Sequence, residues 1–219
     1  MNHTSKKRRS LPACLAAALL GAAAILATAT ATAGTTACAI CGKNLIKNPG
    51  AEAGLGIMAV DASGAVPGWT NVAGEFGAAS YSFPNGWFSA RSTGPKNRGK
   101  NYFFGGTTPA ATTAKATVGT QTIKLPAGAA RHKVTLSGWL GNYGTNTAQV
   151  RAQFTDAAGK TLAALRIGPD TTIGGADMAF RTRSGTVPAG ATTVVMVVTF
   201  TDHANYSLAG ADDLWLVLS

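Results

Sequence analysis

Two acidic motifs near opposite ends of the sequence are the first candidates for metal or acid–base chemistry. One reads NLIKNPGAE and ends on Glu52, and the other reads ADDLWLVLS and contains Asp212 and Asp213. Each motif places a carboxylate beside an apolar run that is typical of a strand. If the first and last strands lie side by side, we expect Glu52 and Asp213 to meet at one site for a hard cation, which prefers oxygen ligands.

The pleat of a strand makes the choice between the two aspartates binary, because successive side chains point to opposite faces. The prediction names Asp213, and an assignment shifted by one residue names Asp212. The alternative for the whole motif is structural: Glu52 caps a turn and Asp213 is a solvated residue at a strand end.

The rest of the sequence is poor in catalytic groups, and we predict that the protein is not an enzyme. The only glutamates are Glu52 and Glu75, so the facing carboxylates of a glycosidase are not evident. His203 follows Asp202 directly, and neighbours in a strand point apart. The sequence contains no Gly-x-Ser-x-Gly nucleophile motif and no histidine spacing typical of zinc sites.

Alternating apolar and polar residues, punctuated by Gly and Pro, predict many short strands. The clearest alternation covers residues 132–140, 147–155 and 193–201, and the last strand places Leu214, Leu216 and Leu218 on one face. Further strands are predicted at 66–72, 78–83, 100–104, 117–125, 161–167 and 178–187. About ten strands without helices favour an all-β, antiparallel β-sandwich or jelly roll.

A sugar-binding surface needs exposed aromatic rings beside amides or guanidinium groups that bond hydroxyls. One candidate surface combines Trp139 with a polar row on the following strand, and the other is the irregular segment 83–100. The candidate ligand-binding residues are Trp87, Trp139, Tyr143, Gln149, Arg151 and Gln153. The alternative for Trp139 is packing in the core, where Trp is mostly buried.

Residues 1–33 have the features of a secretory signal peptide. Lys6, Lys7, Arg8 and Arg9 precede an apolar run, and small residues at positions 31–33 fit a cleavage site after Ala33. The Arg8–Arg9 pair also fits the twin-arginine route. The apolar run is short for a membrane span, so we expect a secreted, extracellular protein.

Removing the leader changes the counts of charges and cysteines. Four of the 19 basic residues leave with it, so 15 remain against nine acidic residues, a formal charge of +6. These basic residues are scattered apart from residues 91–100, which does not favour nucleic-acid binding. Cys38 and Cys41 remain, and in an oxidising compartment we expect them to form a disulfide in the N-terminal segment 34–43.

Several motifs occur in an order that resembles secreted bacterial proteins with a galactose-binding-like β-sandwich, including carbohydrate-binding modules for xylan and glucans. They are NLIKNPGAE (44–52), VPGW (66–69), NYFFGG (101–106), QTI (121–123), LSGWLGNY (136–143), FTDAAG (154–159) and DDL (212–214). The resemblance covers nearly all of residues 43–219. It implies a structural calcium ion held by Glu52 and Asp213.

We therefore expect one sandwich domain at residues 44–219 that binds an extracellular polysaccharide or other glycan as a monomer, without cleaving it. The alternatives are a cell-surface structural or protein-interaction domain without a sugar ligand, and a hydrolase whose acids converge only in the fold. An open aromatic groove would favour the sugar ligand over a protein partner.

Overall fold

The computed structural model describes residues 41–57, 64–83, 87–106, 116–169, 175–201 and 208–219. The expected leader, Cys38 and the Asp202–His203 pair lie outside these ranges. Within them, no helix has the length and apolar character needed to cross a membrane.

The described ranges contain ten strands, and the predicted strands are confirmed with small shifts at their ends. The strands are β1 (Thr70–Ala73), β2 (Gly77–Ser80), β3 (Asn101–Phe104), β4 (Ala116–Lys124), β5 (Lys133–Gly141), β6 (Thr147–Thr155), β7 (Thr161–Ile167), β8 (Met178–Thr186), β9 (Thr193–Thr201) and β10 (Gly210–Leu218).

The strands form two five-stranded antiparallel sheets that pack as a sandwich. The first sheet has the order β1-β4-β9-β6-β7, and the second has the order β2-β3-β10-β5-β8. The strands β5 and β6 follow each other in the sequence but belong to different sheets. This crossover decides which exposed side chains share a face.

The N-terminal segment runs along the last strand, so the expectation that the two ends of the domain lie side by side is confirmed. Leu45 N donates to Leu216 O at 2.9 Å. The Asn44 side chain donates to Leu214 O at 2.8 Å and accepts from Leu216 N at 3.0 Å. These bonds cover the edge of β10 beyond Ala211, where its pairing with β3 ends.

The main core lies between the inner faces of the two sheets. Its largest members include Phe103, Leu136, Phe154, Met196 and Leu216, all fully buried. Burial of each such side chain contributes about 1.5–3 kcal/mol to folding.

Trp69 packs against this core. Its ring contacts Phe103 edge-on at a centroid distance of 4.9 Å. Its indole N–H donates to Lys47 O at 3.2 Å. The side chain therefore fixes the N-terminal segment against the sandwich and is not offered to a ligand.

A second core lies on the outer side of the second sheet, beneath the segment 87–100. Phe88, which is 0% exposed, enters a slot made by two glycines. A Cβ on Gly141 would lie 2.5 Å from Phe88 Cε1, and a Cβ on Gly210 would lie 2.8 Å from Phe88 Cε2. The missing side chains are therefore what admits the phenyl ring, which binds the irregular segment to the sheet.

Phe88→Ala is expected to lower the free energy of unfolding by about 3–5 kcal/mol, because it empties a fully buried slot. Urea unfolding measures the change. Leu55→Ala is the control: Leu55 is 88% exposed, so its truncation should change stability by no more than about 0.5 kcal/mol. Equal stabilities for the two variants would contradict the packing role of Phe88.

Candidate functional site

The structure does not bring Trp139 and the polar row of β6 onto one face, and this expectation was wrong. Trp139 lies on the outer face of the second sheet, packed beside the second core. Gln149, Arg151 and Gln153 alternate with the buried residues of β6 and lie on the outer face of the first sheet. Alternation in the sequence shows which residues share a face of one strand, but not which strands share a sheet.

The other two predicted ligand residues, Tyr143 and Trp87, lie outside the strands. Tyr143 is exposed in the loop between β5 and β6. Trp87 is half-buried, and its ring stacks on Phe104 at a centroid distance of 4.7 Å and an interplanar angle of 19°. The Trp87 ring therefore packs on the second core, and its role in ligand binding stays a prediction.

Three aromatic side chains do share the outer face of the second sheet, and we call this set the aromatic face: Trp139, Phe180 and Trp215. Phe180 on β8 is directly opposite Trp139 on β5, with ring centroids 5.8 Å apart. Trp215 on β10 lies one row further along, opposite Ser137. Phe180 is 49% exposed and Trp215 is 41% exposed, so both rings offer a large apolar surface to solvent.

Hydroxyl groups continue this surface beyond the rings. Thr182 is opposite Ser137, and Ser184 is opposite Thr135. The Thr135 and Ser184 hydroxyl oxygens are 2.9 Å apart and hydrogen-bonded. Rings bordered by short hydroxyl side chains combine apolar contact with hydrogen-bonding groups, which is the composition a sugar ligand requires.

Asp213 holds the most exposed indole of this face in place. Trp215 Nε1 donates to Asp213 Oδ1 at 2.7 Å. Asp213 has a φ of 46° and lies where the register between β10 and β5 shifts. Aspartate tolerates this left-handed conformation better than most residues, and the resulting β-bulge re-aims its side chain outward.

The inward-facing carboxylate is Asp212, so the choice of Asp213 as the inward acid is corrected by one residue. Asp212 is 1% exposed. Its Oδ2 accepts from the Tyr81 hydroxyl at 2.7 Å, and its Oδ1 accepts from Asp213 N at 2.7 Å. The bulge is the physical reason, because it separates the two neighbouring carboxylates into different environments.

Glu52 closes the N-terminal turn onto β3. Its Oε1 accepts from Asn101 N and its Oε2 from Lys100 N, both at 2.9 Å. The buried Asn101 side chain reciprocates by donating to Ala51 O and Gly54 O, at 3.2 and 3.0 Å. The turn-capping alternative for Glu52 therefore describes its hydrogen bonds, although each carboxylate oxygen retains a further lone pair.

Burial raises the pKa of Asp212 to about 8. The bonds from Tyr81 and from the Asp213 backbone oppose this rise, while the negative charges of Asp213 and Glu52 add to it. Burial and the nearby Asp212 also raise the pKa of Tyr81. The charges of Glu52 and Asp213 thus act on a carboxyl group that has been removed from water.

The oxygen atoms of this cluster suit a hard cation. A Cβ on Gly50 would lie 3.0 Å from Asp212 Oδ1 and 3.8 Å from Glu52 Oε1, so the two carboxylates flank one glycine. In the described part of the chain, no group of three or more His, Cys, Asp and Glu side chains forms a metal cluster. A calcium ion, which takes six to eight oxygen ligands, would therefore need backbone carbonyls to complete its coordination here.

The predicted disulfide stays a prediction, because Cys38 lies outside the described residues. Cys41 is described, and its Sγ lies 3.8 Å from Nδ1 of His132.

No protein-family model matches the sequence, and no curated protein matches it. Among solved structures, the enzymatically active domain of tailspike protein 4 from bacteriophage CBA120 aligns with a TM-score of 0.53 and 16% identity. The alignment covers 80% of this chain, which spans only 21% of the tailspike chain.

Two carbohydrate-binding modules align more weakly. A family 61 module in complex with β-1,4-galactotriose gives a TM-score of 0.46 at 14% identity, over 81% of this chain and 99% of the module. The family 22 xylan-binding domain of Xyn10C from Paenibacillus barcinonensis gives a TM-score of 0.41 at 14% identity. That alignment covers 69% of this chain and 85% of the xylan-binding domain. The two packed antiparallel sheets themselves confirm the predicted antiparallel β-sandwich.

Raising the pH from about 5 to about 9 without divalent cations is expected to destabilise the protein through Asp212. The folded state retains a proton up to about pH 8, whereas the unfolded chain releases it near the ordinary value of 3.8. The free energy of unfolding should therefore fall through this window, and Asp212→Asn should flatten the fall. Urea unfolding at several pH values measures it.

Asp156→Asn is the control, since that carboxylate lies in the turn after β6 and accepts from Ala158 N and Lys160 N. It should keep the slope of the unmodified protein. Identical slopes for Asp212→Asn and the unmodified protein would show that Asp212 does not titrate as described.

Proposed function

We propose that the protein binds an extracellular glycan on the aromatic face and does not cleave it. The observation that carries this proposal is the exposure of Phe180 and Trp215 beside Trp139 on one sheet surface. Aromatic rings contact the apolar faces of sugar rings, and the neighbouring hydroxyls of Ser137, Thr182 and Ser184 can bond the sugar hydroxyls. A surface on regular strands is preformed, so binding orders few side chains.

In the proposed mechanism, the acidic residues near the aromatic face have structural roles. Asp213 accepts a hydrogen bond from the Trp215 indole, which holds the ring at a fixed angle for stacking. Asp212 is buried beneath the face and bonded to Tyr81. In this proposal, both carboxylates support the binding surface and neither transfers a proton to a sugar.

The proposal includes a structural calcium ion between Glu52 and Asp212. Bound calcium supplies positive charge to two carboxylates that otherwise repel each other. Glu52 is already bonded to β3 and Asp212 belongs to β10, so shared ligation would tie the N-terminal turn to two strands. The ion would stabilise the support of the aromatic face without contacting the glycan.

The expected setting is extracellular, with residues 1–33 removed on export and Cys38 joined to Cys41. An oxidising compartment permits that disulfide, and it is also where structural polysaccharides are met. We thus propose a secreted protein that has this disulfide and that binds its glycan without catalysis.

The double variant Trp215→Ala/Phe180→Ala is expected to weaken glycan binding at least about fivefold, since it removes two aromatic contacts worth about 0.5–1.5 kcal/mol each. A panel of soluble polysaccharides that includes galactan and xylan identifies the ligand, and isothermal titration measures the affinity. Val72→Ala, an exposed position on β1 of the other sheet, should bind as the unmodified protein does. Absence of binding to the whole panel, or equal binding by the double variant, would refute the proposed site.

Chelation with EDTA is expected to lower the melting temperature, because an ion that binds only the folded state stabilises it by about 2.7 kcal/mol at a hundred times its Kd. Asp212→Asn and Glu52→Ala should each remove the sensitivity to the chelator. The matched control Asp213→Asn should keep it, since Asp213 faces outward to Trp215. A melting temperature that does not respond to EDTA, or a response abolished only by Asp213→Asn, would contradict the proposed ligands.

A further inference from the structure

The outer face of the first sheet carries two arginines directly opposite each other. Arg151 on β6 pairs in register with Arg166 on β7, and both side chains are exposed. Directly opposed residues on one face have Cβ atoms about 4.5–5.5 Å apart, and like charges in this arrangement destabilise a sheet. An anion bound between them would remove that repulsion.

Amide groups flank and orient this pair. With its amide oxygen turned towards Arg151, Gln153 accepts from Arg151 Nε at 3.0 Å and from Nη2 at 2.8 Å. A guanidinium has five N–H donors, so the remaining N–H groups stay available. Gln149 lies two residues before Arg151 on the same face, so the pair is bordered by groups that both donate and accept hydrogen bonds.

The first acid after β6, Asp156, does not neutralise the pair. Asp156 lies five residues beyond Arg151, which is about 17 Å of extended strand. Its carboxylate is already bonded to the backbone N–H groups of Ala158 and Lys160, both at 2.9 Å.

The neighbouring edge of the sandwich adds further positive charge. Strand β8 carries Arg181 and Arg183, the second of which is exposed. Strands β7 and β8 approach closely, because a Cβ on Gly185 would lie 2.7 Å from Leu165 Cδ2. These two arginines lie on the face of β8 that also carries the positions opposite Leu136 and Gly138, so they are not part of the outer face of the first sheet.

We propose that this arginine face, made of Gln149, Arg151, Gln153 and Arg166, binds an acidic polysaccharide through its carboxylate or sulfate groups. Paired guanidinium groups bind such anions bidentately, and the two amides suit the hydroxyls of the same sugar. The outer positions of β6, β7 and β9 carry no aromatic ring, so base stacking of the kind used for single-stranded nucleic acids has no platform there.

This site is separate from the aromatic face, because the two faces lie on the outer sides of different sheets. Both can be occupied at once, so one molecule can link an acidic polymer to the glycan held by the aromatic face. The arginine site itself does not depend on the aromatic site being correct.

Binding of the full chain to polygalacturonate, dextran sulfate, uncharged dextran and duplex DNA tests the proposal. The unmodified protein should bind at least one of the two acidic polysaccharides, and this binding should weaken as the salt concentration rises. It should bind uncharged dextran and DNA less tightly than that acidic polysaccharide. The carboxylate and sulfate polymers distinguish the two anions. Arg151→Gln/Arg166→Gln should weaken acidic binding at least about tenfold.

Two control variants separate this site from net charge and from the aromatic face. Arg91→Gln/Lys96→Gln removes the same charge from exposed positions in the segment 87–100 and should keep acidic binding. Trp215→Ala/Phe180→Ala should also keep it, whatever its effect on other glycans. The proposal is overturned if neither acidic polymer binds, or if DNA binds more tightly than both of them. It is also overturned if the two charge variants lose acidic binding equally, or if the aromatic variant loses acidic binding.

Discussion

The β-bulge at Asp212 and Asp213 is the feature on which both proposed sites of the second sheet depend. In a regular strand these two side chains would lie on opposite faces of the sheet. The bulge instead sends Asp212 into the second core to meet Tyr81 and turns Asp213 towards the Trp215 indole. Gly138 on the adjacent strand makes room for the Leu214 side chain that follows the bulge, since a Cβ on Gly138 would lie 2.5 Å from Leu214 Cδ2.

Support for the aromatic face comes from the second core beneath the segment 87–100. Phe88 fills the slot at Gly141 and Gly210, and Tyr81 bonds to Asp212 within the same cluster. Trp139 packs against this cluster while its neighbour Phe180 remains exposed. The second core, which lies on the same outer face, thus holds Trp139 in place beside the exposed Phe180, and this is the preorganisation that a binding surface needs.

The sequence predicted the strands well because alternation of apolar and polar residues is a local property. All ten strands were expected, and Val150, Ala152 and Phe154 of β6 face the core as their spacing indicated. Strand pairing is a non-local property, so the separation of Trp139 from Arg151 could not be predicted from spacing. For the same reason the sequence did not identify Phe180 as part of the aromatic face, because Phe180 lies beside Trp139 only through the pairing of β8 with β5. The bulge reversed the choice between Asp212 and Asp213 for a similar reason, since an extra residue changes the phase of the pleat.

The four tryptophans provide the most direct measurement of where a glycan binds, because each indole N–H gives its own NMR signal. Trp69 and Trp87 pack against the cores, whereas Trp139 and Trp215 belong to the aromatic face. Titration of the protein with a fragment of a polysaccharide that it binds is predicted to shift the Trp139 and Trp215 signals. The signals of Trp69 and Trp87 should stay in place. Shifts confined to Trp87, or no shift of Trp139 and Trp215 when the fragment is bound, would contradict binding on the aromatic face.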